Sequence, residues 1–115
     1  MSQDRTIIDN ALVRCVRDER EAAPLFELVR ADLGLWVWEL AVEPDRDADV
    51  QLEQIRRELE ANRSKLASLA GGCTEFVLFL SVAAIEDSML RITNKLARLV
   101  AECGLELEIV TQSRG

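Results

Sequence analysis

Residues 75–110 carry three apolar segments of different periodicity in a fixed order, and that order restricts the fold more than any other feature of the chain. Phe76 through Val82 is almost continuously apolar and rich in branched and aromatic residues, as in a strand buried on both faces. Leu105, Leu107 and Ile109 alternate with Glu106 and Glu108, the period-two pattern of a strand with one wet face. Between them Met89, Ile92, Leu96, Leu99, Val100 and Cys103 recur at helical spacing, and Gly104 stands where a helix C-cap falls. The segment reads as strand–helix–strand, a parallel pair joined by a right-handed crossover. It speaks to architecture and is silent on function.

The rest of the chain supplies partners for that unit. Residues 1–10 read as a frayed lead-in. Ala11–Arg17 fits a short strand, with Leu12 and Val16 on one face and Val13 and Cys15 on the other; the stripe Ile8, Leu12, Cys15, Val16 also fits a helix. A sheet needs more than two members, which favours the strand. Pro24 suits the first turn of a helix carrying Leu25, Phe26, Leu28, Val29 and Leu33, ended by Gly34. Leu35–Glu43 reads as a strand with Trp36, Trp38, Leu40 and Val42 on one face, stopped by Pro44. Val50–Leu69 is the clearest helix, with Leu52, Ile55, Leu59, Leu66 and Leu69 in its stripe, Asp47 or Asp49 as N-cap, and Gly71-Gly72 as terminator. Glu86-Asp87-Ser88 is expected to cap the last helix. The expected fold is one α+β domain over residues 1–115. It is a two-layer α/β sandwich of ferredoxin-like type, with a mixed sheet of about four strands and three helices.

Charge and missing residue types narrow the function classes. A net charge of −7 opposes nucleic-acid backbones and anionic membrane surfaces, and suits a protein partner with a basic surface. No segment approaches the ~20 apolar residues of a membrane span, and the N-terminus lacks the apolar run of a signal peptide. Cys15, Cys73 and Cys103 are odd in number and lack metal spacing, so the expectation is three reduced thiols, no intramolecular disulfide and a cytoplasmic location. With no histidine and no tyrosine, the commonest general bases and metal ligands are missing, and no enzymatic activity, cofactor or bound metal is expected. Gly71-Gly72 is not followed by a Walker-type Lys. Asp45-x-Asp47-x-Asp49 opens like an EF-hand loop, but Val50 stands where that loop needs glycine and Arg56 where it needs glutamate.

Over residues 33–110 the chain resembles the bacterial domain of unknown function 4279 family. The likeness rests on Leu33-Gly34, the strand with Trp36 and Trp38, the paired leucines between Leu52 and Leu69, the apolar strand Phe76–Val82, and the closing Gly104-Leu105-Glu106-Leu107-Glu108-Ile109. The chain departs from that pattern after Leu33-Gly34, where a Pro-containing loop with a basic run is missing. The resemblance implies no catalytic residues. It carries a weak association with toxin immunity.

Candidate binding residues are Glu43, Asp45, Asp47 and Asp49 in an acidic loop, Glu106 and Glu108 on the wet face of the last strand, and the tryptophans Trp36 and Trp38. Each has a plainer reading: a solvated turn, a solvated strand face, a sheet-to-helix core. Asn62, inside an apolar stripe, is either a capping residue or a polar register-setter. The function expected from these residues is a non-enzymatic protein-binding module, an acidic immunity- or antitoxin-like protein that occludes a basic partner. The alternative is a small-molecule-sensing regulatory domain of ferredoxin-like type acting as a homodimer.

Overall fold

Alternation decides the first element. In the computed structural model, which describes residues 6–18, 25–84 and 90–113, Ile7–Val16 forms strand β1. Ile8, Ala11, Val13 and Cys15 are buried on one side, while Leu12, Arg14 and Val16 face the other, half-buried. The strand thus begins within the stretch expected to fray. A bulge between Ile8 and Asn10 shifts its register and leaves the backbone groups of Ile8 to be satisfied from elsewhere.

Glu27–Arg30 is strand β2 and Leu35–Glu39 is strand β3, joined by a turn over residues 31–34. The helix expected over Pro24–Leu33 is therefore corrected to an edge strand and a hairpin turn; Pro24 itself lies outside the described residues. The spacing of Leu28, Val29 and Leu33 suggested a helical stripe, but all three stay exposed, so no packing reward supports a helix there. Gly34 is a terminator, though of a hairpin. It takes φ +62°, and its carbonyl accepts from the Arg17 N–H at 3.0 Å. β3 ends at Glu39, four residues short of the expected Glu43.

The long helix divides in two: α1 over Ala48–Ala61 and α2 over Arg63–Ala70. Its stripe is as expected, with Leu52, Ile55, Leu59, Leu66 and Leu69 buried. Asn62 breaks it. Its side-chain amide donates to the Glu58 carbonyl at 2.9 Å, competing with the helical ladder, and its backbone leaves the helical region. Asp47 occupies the N-cap of α1. Gln51, fully buried, joins α1 to the β1 bulge. Its Oε1 accepts from the Ile8 N–H at 2.7 Å, and its Nε2 donates to the Ile8 carbonyl at 3.1 Å and the Glu43 carbonyl at 2.9 Å.

Glu75–Ala84 is strand β4, Asn94–Glu102 is helix α3 and Glu106–Ser113 is strand β5. The N-cap of α3 is Thr93, whose hydroxyl accepts from the Leu96 N–H at 3.2 Å. The expected cap, residues 86–88, lies outside the described residues, and Ile92 precedes the helix. At the other end the Gly104 N–H reaches the Ala101 carbonyl and the Leu105 N–H reaches the Val100 carbonyl, each at 3.0 Å. With Gly104 at φ +77° this is a Schellman close, as the sequence implied.

The described residues therefore make an α+β fold: a mixed sheet of five strands, ordered β2-β3-β1-β4-β5, with three helices. All neighbours are antiparallel except β4 and β5, which are parallel, as the strand–helix–strand reading required. β4 is an interior strand, but the centre belongs to β1. The core forms where Val13, Cys15, Trp36, Phe76, Leu78, Leu80 and Val82 meet Leu52, Ile55, Leu59, Leu66, Leu96 and Leu99 from the helices. No described helix is long and apolar enough to cross a membrane.

Candidate protein interface on the open face of the sheet

Because side chains alternate across a strand, the residues left over by the core define the opposite face. Register aligns them into rows. One row runs Glu27, Val37, Arg14, Val77, Glu106; the next runs Glu39, Leu12, Phe79, Glu108. Leu35, Val16 and Glu75 form a third. Each of the first two rows starts and ends with a carboxylate and is apolar between, apart from Arg14. The face is thus an apolar stripe, with Leu12, Val16, Leu35, Val37 and Phe79 half-buried, between two acidic margins that are exposed. No described element covers it. Val77, on the same face, is only 4% exposed.

Arg14 is half-buried at the middle of the stripe. Its Nη2 lies 3.6 Å from Glu108 and 3.9 Å from Glu75, and its Nε is buried without a hydrogen-bond partner among the described residues. Long, part-exposed pairs of this kind contribute at most about 1 kcal/mol, so they can be exchanged for contacts with a partner. At the β2 edge, Leu25, Val29, Val37 and Trp38 line a hollow of about 290 Å³ with Glu27 and Glu39. Leu25 enters it with φ 77°, a conformation uncommon for a side chain of its size.

The acidic positions expected from sequence do not form one surface. Glu106 and Glu108 belong to the open face. The loop of Glu43, Asp45, Asp47 and Asp49 lies where the Ala48 N–H meets the Thr6 carbonyl at 3.1 Å, beyond the start of β1. Six residues of strand separate Thr6 from Leu12 in the Glu108 row, roughly 20 Å. The loop is nonetheless ordered: Glu43 donates its N–H to Gln54 at 3.0 Å and receives Arg46 on its carboxylate at 2.9 Å. Its carboxylates are exposed.

The tryptophans point to the helix side. Trp36, 8% exposed, is part of the core, which leaves it little surface to offer a partner. Trp38 is half-buried, its ring 6.1 Å from that of Phe26, and reaches the edge hollow. Arg14, Leu12 and Phe79 were missed as site residues. The alternation of Leu12-Val13-Arg14-Cys15-Val16 carried a signal for them, but a two-sided strand shows only which residues share a face, not which face the helices take. Among the described residues, no group of three or more Cys, Asp or Glu is placed to hold a metal ion.

No family model matches the chain, and neither the curated proteins nor the solved structures give a significant match.

Proposed function

We propose that this chain is a non-enzymatic protein-binding module whose open sheet face receives a partner with a basic rim, in the manner of an acidic immunity or antitoxin protein that occludes a basic surface. The observation that carries the proposal is the arrangement of Glu27, Glu39, Glu106 and Glu108 on both margins of the half-buried stripe Leu12, Val37, Phe79. An apolar centre supplies affinity, and a charged rim steers encounter and selects the partner. The net charge of −7 points the same way. The reading extends to the layering, a two-layer sandwich with helices on one side only. The ferredoxin-like part of that reading has less support: β4 and β5 are adjacent, whereas that pattern sets another strand between the two that a helix joins, and strand β2 stands where its first helix would run.

The experiment is association kinetics with a partner captured from the native host. Phe79→Ala should raise the off-rate. Glu106→Lys with Glu108→Lys should slow association and flatten its salt dependence, because exposed charges are screened beyond ~8 Å at physiological ionic strength. Reversal of Asp45, Asp47 and Asp49 to Lys serves as the comparison. A larger effect from the loop than from the sheet face would transfer the interface to the loop.

A second reading, the sensing homodimer, has one observation in its favour. β5 ends the sheet as an eight-residue edge on which Leu107, Ile109 and Val110 are exposed, the kind of edge that pairs with another chain. Sedimentation of the isolated protein at rising concentration separates the two readings.

A further inference from the structure

Cys15 and Cys73 are 58 positions apart in sequence and 2.7 Å apart in space, sulfur to sulfur. That is closer than two sulfurs sit in ordinary van der Waals contact. Cys15 is fully buried on the helix side of β1, and Cys73 is half-buried in the loop between α2 and β4. The backbone holds them there. Thr74, next to Cys73, donates its N–H at 2.8 Å and its hydroxyl at 3.3 Å to the carbonyl of Val16, next to Cys15. The Cys73 N–H reaches the Ala70 carbonyl at 3.4 Å, and its thiol points to the Leu69 carbonyl at 3.1 Å. The two cysteines therefore stay neighbours unless the start of β4 peels from the end of β1. The structure holds all three cysteines as free thiols.

We propose that Cys15 and Cys73 form a dithiol site that reacts with a low-molecular-weight disulfide and closes to an intramolecular disulfide, giving the chain a reversible oxidised state. The steps balance without any other oxidant. The Cys73 thiolate attacks one sulfur of the reagent; a mixed disulfide forms on Cys73 and the first reagent thiolate leaves, taking up a proton. Cys15 gives up its proton and attacks the Cys73 sulfur; the Cys15–Cys73 bond forms and the second reagent thiolate leaves. Two protein thiols are oxidised and one reagent disulfide is reduced to two thiols. Exposure assigns the order: the half-buried Cys73 meets the reagent, and the enclosed Cys15 resolves the adduct. Burial and the neighbouring Cys73 thiol push Cys15 up to about 12, which makes the resolving step the slower one. Cys103, also fully buried, takes no part.

The test uses the full chain and glutathione disulfide as the probe. After incubation, the chain is denatured with guanidinium chloride so that buried thiols are reached, free thiols are blocked with N-ethylmaleimide, and the intact mass and a non-reducing tryptic map are recorded. The expected product has lost two hydrogens, carries one maleimide, on Cys103, and yields the tripeptide of residues 15–17 joined to the peptide bearing Cys73. Dithiothreitol should restore three alkylatable thiols. In Cys73→Ser, Cys15 and Cys103 should both remain alkylatable. Three maleimides on the treated wild type, a glutathione adduct that persists on Cys73, or a cross-link through Cys103 would each overturn the proposal. The wild-type map decides the matter even if the variant fails to fold.

Discussion

Gly34→Ala should unfold this protein more readily than any other single-methyl addition to a described glycine, and its cost can be assembled from the geometry. At φ +62° a side chain is strained by ~1–2 kcal/mol. A Cβ built there would lie 2.1 Å from the Arg17 carbonyl oxygen, and that oxygen is backbone. The close pairing of Arg17 with Gly34, marked by the 3.0 Å hydrogen bond, must open. Relieving the overlap adds ~1–3 kcal/mol by comparison with other overpacked sites, and loss of the bond adds ~1 kcal/mol. The reduced entropy of the unfolded chain returns ~0.4–1 kcal/mol. The net cost is about 4 kcal/mol. Gly71→Ala is the matched control: it has ordinary αR backbone and nothing within 4 Å of the added carbon, so it should be neutral or slightly stabilising. Urea unfolding followed by circular dichroism and tryptophan fluorescence measures both. A Gly34→Ala protein within about 1 kcal/mol of wild type, with unchanged slope, would refute the steric argument.

Three further outcomes follow from the packing. Leu78→Ala should cost about 2–5 kcal/mol, because Leu78 is fully enclosed. Phe79→Ala should cost less in folding, since that ring is half-buried on the open face, and denaturant titration of the pair shows whether the order holds. Gln51→Ala should cost about 3 kcal/mol by leaving the Ile8 N–H and carbonyl buried without partners at the bulge; Ile8 amide hydrogen exchange should accelerate with it. The last outcome is a pH dependence. Cys15 ionises at about 12 in the fold against an ordinary 9.0. The unfolded chain therefore sheds that proton first, and stability falls as pH rises from 9 towards 12, by at most ~1.4 kcal/mol per unit. Below pH 9 this thiol contributes no slope. The comparison with Cys15→Ala over that range isolates it, and equal slopes in the two proteins would contradict the shift.

The C-terminal half was legible in sequence because its signals are redundant. Phe76–Val82, the stripe ending in Val100 and Cys103, Gly104, and the alternation from Leu105 each point to the same unit, and the structure places β4, α3 and β5 accordingly. Between Leu25 and Gly34 the signals conflict. The apolar spacing there suits a helix, and Gly34 can end a helix or close a hairpin equally well. Only pairing with β3 decides, and β3 is in turn held by β1, further off in sequence. Asn62 shows a subtler limit: its place in the stripe was visible, but the competition between its amide and the ladder depends on geometry. The candidate interface was half legible. Glu106 and Glu108 announced a wet face, whereas Arg14 and Phe79 joined them through register with strands far off in sequence.

That last property bears on how the chain reaches its fold. β1 takes the centre of the sheet, yet one of its neighbours is β4, so that Ile7 meets Ala83. Such a connection requires closing a long loop before the pairing repays it, which slows folding. During synthesis β1 emerges first and can zip with β3 and β2, but the edge it will give to β4 stays open until Ala84 has left the ribosome. For that interval the chain presents Val13, Cys15 and Leu12 on a strand with one edge unpaired. The slow step of biogenesis, and the window in which aggregation or a chaperone acts, is thus set by the placement of β1 at the middle of the sheet.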